Sequence, residues 1–180
     1  MKTKTYGLIV LSFFAIHASG HLRHHTAHDL LWGCNSGTLL LGLGLTVGWL
    51  RLAAVGALWL SLGTPYWIFD VSSGGEFIPT SVLTHIGGLG LGLHALRQQG
   101  IPRGAWWQAL LAMIPLQLLS RLLTPRAANV NLAWDVYPGV AKLFPGYPLY
   151  WASNMLIAGL VYFLVYRLLQ RGQVRPLPNS

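Results

Sequence analysis

The sequence predicts an all-α, polytopic transmembrane bundle of six helices, and three observations lead there. Of its 180 residues, 53% are hydrophobic and only 9% are charged, too few charges to coat a water-soluble globule of this size. Six apolar stretches can be drawn, at about Tyr6 to Ser19, Leu30 to Gly48, Leu50 to Phe69, Pro79 to Leu96, Ala105 to Leu123 and Pro148 to Leu168, most of them near the roughly 20 residues a spanning helix needs. The Lys and Arg residues sit at the ends of these stretches and form no basic stripe with interleaved aromatics, so the formal charge of +8 reflects topology and not nucleic-acid binding. Residues 1–180 read as a single transmembrane domain, with residues 124–147 as an outer loop.

The first segment opens on Met1-Lys-Thr-Lys4 and ends in Ala18-Ser-Gly20. That pattern fits a spanning helix, and it also fits a signal peptide over residues 1–20 whose removal leaves five helices. His17, His21, His24, His25 and His28 follow at the membrane exit, where a spacing near four places imidazoles on one helical face. No second cluster and no Cys-x-x-Cys completes a structural metal site, so a solvated or interfacial loop is expected and no metal. His28 is the exception, lying beside Asp29 and shortly before Cys34.

Helix two begins Leu30-Leu-Trp-Gly-Cys34-Asn-Ser-Gly-Thr38 and becomes rich in Leu and Gly. Gly37, Gly42 and Gly44 read as close-packing positions, since small residues let backbones approach in lipid. Cys34, Thr38 and Leu41 share a face by their spacing. Helix three closes in Gly63-Thr-Pro-Tyr66-Trp67-Ile-Phe-Asp70, with aromatics at interface depth. Gly74-Gly75 marks a turn, and Pro79 suits the first turn of helix four. His85 then lies roughly 9 Å below the outer surface, about two turns down at 1.5 Å per residue. An intramembrane histidine reads by default as functional. Helix five starts with Arg103 and Trp106-Trp107. The long segment before helix six carries Asn129, Asn131 and Asp135, then Phe144-Pro-Gly-Tyr147-Pro-Leu-Tyr150-Trp151, which reads as an interfacial anchor or a lid.

Threading the stretches with the N-terminus inside places Lys2, Lys4, Arg51, Arg97, Arg103, Arg167, Arg171 and Arg175 inside, against Arg23, Arg121, Arg126 and Lys142 outside. The bias supports an N-in, C-in arrangement. All four carboxylates, Asp29, Asp70, Glu76 and Asp135, fall outside together with the only cysteine and His85. Lone cysteine excludes an intrachain disulfide.

Cys34 near a helix start and His85 at comparable depth have the makings of an activated nucleophile, because a neighbouring imidazole deprotonates a thiol and a helix N-terminus favours the thiolate. Thr38 is the alternative nucleophile. Backbone amides, Asn129 or Asn131 are candidate oxyanion donors, Arg121 is placed to hold a phosphate, and His28 is a candidate for orienting the site. A transporter is disfavoured by the absence of an internal repeat. Haem ligation by His85 and His94 is disfavoured because nine residues of helix set them on opposite faces.

The order of these motifs resembles the YwaF-like integral membrane family, which is related to an animal transmembrane acyltransferase that remodels ether phospholipids. The resemblance runs from about Leu30 to Leu168. Cys34 matches a Leu-Cys motif, Thr84-His85-Ile-Gly87 a Ser-His-Gly motif, Asn129-Val-Asn131-Leu132 an Asn-Tyr-Met-Phe-like segment, and Tyr147-Pro148-Leu-Tyr150-Trp151 a Pro-Trp-Tyr lead-in to the last helix. Trp32 stands where that family usually has a histidine. The resemblance implies an acyl-thioester route with Cys34 as nucleophile and His85 as base, needing no cofactor. Membrane lipids are the expected partners, with a membrane protein as a further one, and a bacterial inner membrane is the expected location. The rival expectation is a non-catalytic membrane module that binds a lipid or pigment or packs against a partner.

Overall fold

The computed structural model describes residues 2–172; Arg175, assigned above to the inner side, lies outside them. Among the described residues all regular structure is helical. In chain order it comprises α1 (Lys2–Arg23), a 3₁₀ turn (Ala27–Leu31), α2 (Gly33–Val47) and α3 (Leu50–Ser72). A π-helical segment (Leu83–Gly88) runs straight into α4 (Leu89–Gln99), followed by α5 (Ala105–Leu123). Three further 3₁₀ turns, Arg126–Ala128, Val130–Leu132 and Pro138–Leu143, lead to α6 (Tyr147–Arg171).

Among the described residues three helices are long and apolar enough to cross a membrane: Thr3–Arg23, Leu50–Ser72 and Tyr147–Arg171. The second apolar stretch gives a shorter helix than expected. Trp32 adopts an extended backbone (φ −52°, ψ 139°), and the Gly33 N–H donates to the side chain of Asn131 at 2.6 Å instead of to a preceding carbonyl. The 15 residues of α2 therefore reach only about 22 Å at 1.5 Å per residue.

Backbone contact holds α2 against α3. Gly48, in the left-handed region at φ 79°, ends α2 and with Trp49 turns the chain into α3. A Cβ on Gly37 would lie 2.9 Å from the Gly56 carbonyl oxygen, and one on Gly56 would meet that of Gly37 and the Leu41 amide. Gly42 meets Leu11 of α1 in the same way. Around this seam sit Leu41, Leu45, Ala53, Ala57 and Leu60, all fully buried. Gly56→Val is expected to lower the thermal unfolding midpoint in detergent, because overpacking such a contact costs about 1–3 kcal/mol. Gly90→Ala, in open space, serves as the control and should not.

The outward surface is apolar in register. Leu156, Leu160, Leu164 and Leu168 on α6, and Leu111, Ile114, Leu118 and Leu122 on α5, are all exposed. Stripes at spacings of three and four present a continuous hydrophobic face, which suits hydrocarbon and not water. At one end of the bundle, connecting segments are fastened to helices. His17 Nδ1 meets Thr80 Oγ1 at 2.9 Å, and the Tyr137 hydroxyl donates to Asp70 Oδ1 at 3.0 Å.

Candidate functional site

A cavity of about 1280 Å³ opens at that end. Its wall includes His17 and His21 from α1, Cys34 and Asn35 from α2, Tyr66 and Trp67 from α3, His85, Gln117 from α5 and Tyr162 from α6. All four carboxylates of the chain also line it.

Cys34 is the second residue of α2, where first-turn amides have no intrahelical acceptor. Gly33 N–H is taken by Asn131 and Ser36 N–H by the Trp32 carbonyl, whereas the amides of Cys34 and Asn35 donate to no carbonyl. Two N–H groups therefore stand beside the thiol at the positive end of the helix dipole. A Cβ on Gly63 would come within 3.0 Å of the Cys34 Cβ, so α3 presents a glycine where the cysteine packs.

His85 lies in the π-helical segment, a deviation that recurs at functional positions. Its ring stacks on Trp67 with centroids 4.7 Å apart and an interplanar angle of 15°. Nδ1 is 2.9 Å from the Ser81 carbonyl oxygen. A carbonyl only accepts, so Nδ1 carries the proton and Nε2 is a bare lone pair. That Nε2 is buried and has no partner. The thiol and the imidazole share the cavity but are not hydrogen-bonded to each other.

Sequence reasoning placed the histidine cluster in a solvated loop, and for His17 and His21 the structure reverses this. The α1 helix continues to Arg23, and the two rings are 3% and 7% exposed. Their Nε2 atoms are 3.1 Å apart, and His21 Nδ1 is 2.8 Å from Thr26 Oγ1. The Thr26 hydroxyl in turn donates to the His21 carbonyl at 3.4 Å. His21 Nδ1 is thus the donor to Thr26, and His21 Nε2 accepts from His17. Asp29 Oδ2 lies 3.7 Å from His21 Nδ1. The four-residue spacing was the available signal for this pair. Among the described residues no three His, Cys, Asp or Glu side chains are arranged to hold a metal ion.

The remaining candidates lie elsewhere or are already engaged. Thr38 is fully buried off the cavity wall, and its hydroxyl donates to the Cys34 carbonyl at 2.8 Å. His28 is also off the wall, 3.6 Å from Asp29 Oδ1. Arg121 donates from Nε to the Ala133 carbonyl and lies over the rings of Trp134 and Tyr147, where it fastens the outer loop. Asn129 and Asn131 line the cavity with their amides occupied. Asn129 Oδ1 accepts from the Trp134 and Asp135 amides. Asn131 Nδ2 donates to the Leu31 carbonyl and to Ser120 Oγ, both at 2.8 Å. This leaves Asn131 as the anchor of the α2 N-terminus, with the amides of Cys34 and Asn35 directed at the thiol itself.

The outer loop is pinned by Arg126, whose guanidinium takes both Asp135 oxygens at 2.9 and 3.0 Å. That hydrogen bond holds the Asp135 carboxyl below its ordinary 3.8. A depressed carboxylate contributes above its unfolded value and loses its contribution as pH falls through the folded one. Because Arg126 also lies over Trp134, acidification below about pH 3.8 is expected to alter Trp134 emission. The step should be missing from Asp135→Asn.

Among the described residues the fold is all-helical, with surfaces suited to a membrane and, at one end, a largely apolar chamber whose wall carries the four carboxylates. Compared with protein-family models, curated proteins and solved structures, the chain matches none.

Proposed function

We propose that this chain is an integral membrane enzyme that acts on lipid acyl groups through Cys34 and His85, by transfer or hydrolysis. In this reading six segments span a bacterial inner membrane with both termini inside, and the cavity faces outward. The observation that carries it is a proton-free His85 Nε2 in the same chamber as the only thiol, itself at a helix start where two amides donate to no carbonyl.

The chemistry follows from those atoms. The Cys34 thiol passes its proton to His85 Nε2, through a bridging water or after a rotamer change, since the two are apart at rest. Sγ then attacks the ester carbonyl of a lipid, and the oxyanion is held by the Cys34 and Asn35 amides. On collapse the C–O bond breaks, and the departing alkoxide takes the proton from His85. A second acceptor, an alcohol or water, gives its proton to Nε2, attacks the thioester carbon and releases the acyl group. Cysteine leaves as thiolate and recovers its proton from His85. No cofactor enters.

The test is intact-protein mass analysis after exposure to phospholipid. An acyl mass increment that hydroxylamine removes and Cys34→Ala lacks is expected. Its absence from the wild-type protein would sink the proposal. The second reading, a non-catalytic module holding a lipid or pigment or packing against a membrane partner, is favoured by the separation of thiol and imidazole. It predicts bound ligand without any covalent increment.

A further inference from the structure

Burying a polar atom without a partner is costly, so native folds keep few such atoms and each needs a reason. Among the described residues four side-chain atoms are in this position: Asn35 Oδ1, His85 Nε2, Trp134 Nε1 and Tyr162 Oη. Three of the four belong to residues lining the cavity that holds Cys34, and these residues come from different walls, α2, the π-helical segment and α6.

Their hydrogen-bonding character is fixed by what their other atoms do. Asn35 Nδ2 donates to the Asp29 carbonyl at 2.9 Å, which settles the amide orientation and leaves Oδ1 as a pure acceptor. His85 Nε2 is an acceptor because Nδ1–H is used on Ser81. The Tyr162 hydroxyl both donates and accepts. A hydrocarbon chain satisfies none of these atoms. A phosphate fares no better, since it brings acceptors to acceptors and meets four carboxylates, while the one arginine on the wall, Arg126, is bound to Asp135.

We propose that the cavity takes the hydroxyl-bearing end of a long-chain lipid, with Asn35, through Oδ1, as the residue that selects for O–H donors. The polar end lies among Asn35, His85 and Tyr162, and the tail leaves toward the apolar outer surface. This deepens the lipid reading above and rests on it for the nature of the tail. Asn35 is a specificity residue here, and it comes into view only because its amide oxygen is orphaned.

The experiment measures equilibrium binding of tritiated hexadecane-1,2-diol and of 1,2-dimethoxyhexadecane to the full chain in lauryldimethylamine oxide, a detergent without O–H or N–H groups. Two net hydrogen bonds of about 0.5–1.5 kcal/mol each predict a diol preference of about tenfold. Asn35→Leu should cut the preference to about threefold and leave the affinity of the dimethoxy compound unchanged, which also reports that the variant is folded. Tyr162→Phe removes a single oxygen and should reduce the preference, providing an arm independent of how Asn35→Leu behaves. Equal affinities in the wild-type protein, or a preference that neither substitution diminishes, would overturn the proposal. No acyl donor is present, so a failed acyl adduct and a failed diol preference are separate results.

Discussion

His85→Gln is expected to slow formation of the hydroxylamine-labile acyl adduct by about 10²–10⁴-fold, the usual worth of a positioned general base. Glutamine fills a similar space and has no basic lone pair to receive the thiol proton. Cys34→Ala should abolish the adduct altogether, since the chain holds no other thiol. Thr38→Ala should leave it unchanged, because that hydroxyl is off the cavity wall and donates to the Cys34 carbonyl. The measurement is single-turnover labelling with a radiolabelled acyl donor, followed by hydroxylamine release. Undiminished labelling in His85→Gln would remove the imidazole from the reaction, even with Cys34 still acylated.

Asn131→Ala should give the largest loss of stability. The side chain makes three hydrogen bonds, from Gly33 N–H and to the Leu31 carbonyl and Ser120 Oγ, and its removal breaks all three, although Ser120 Oγ keeps its bond to the Leu116 carbonyl. At about 1 kcal/mol or more each, the loss comes to about 3 kcal/mol, which lowers the unfolding midpoint of a chain this size by about 6–12 °C. Asn131 also sits at φ 57°, a left-handed conformation that asparagine tolerates better than alanine. Asn131→Gly relieves that backbone cost while still losing the hydrogen bonds, so thermal unfolding of the two variants separates the contributions. If both unfold with the wild-type midpoint, Asn131 does not anchor α2. Acyl labelling should fall with stability in Asn131→Ala, since the α2 start carries Cys34 and the two amides beside its thiol.

Much of the architecture could be read along the chain. The fifth apolar stretch, Ala105 to Leu123, coincides with α5, and the others lie within a few residues of their helices. The main departure is Trp32, where a side chain 98 residues away captures the Gly33 amide and stops the helix from reaching back to Leu30. The glycines of α2 were legible as packing positions, but their partners Gly56, Ala53 and Leu11 were not. The candidate site was legible in part: Cys34 and His85 both line the cavity, as do the carboxylates. His17, His21, Asn35 and Tyr162 were not read as site residues, because burial decides their roles.

The sequence by itself determined that the chain is helical, where its apolar segments run and that its carboxylates, thiol and His85 gather toward one end. Those properties depend on hydropathy and charge over windows of about 20 residues, so neighbours in the chain suffice to set them. Only the tertiary structure decided which polar atoms meet: His17 with His21 inside the bundle, Asn131 with the α2 start, Arg121 with the outer loop. It also decided which polar atoms stay unpaired, Asn35 Oδ1 and His85 Nε2 among them. The reason is physical, since a hydrogen bond or its absence inside the fold depends on positions a few tenths of an ångström apart, set by helices distant in sequence.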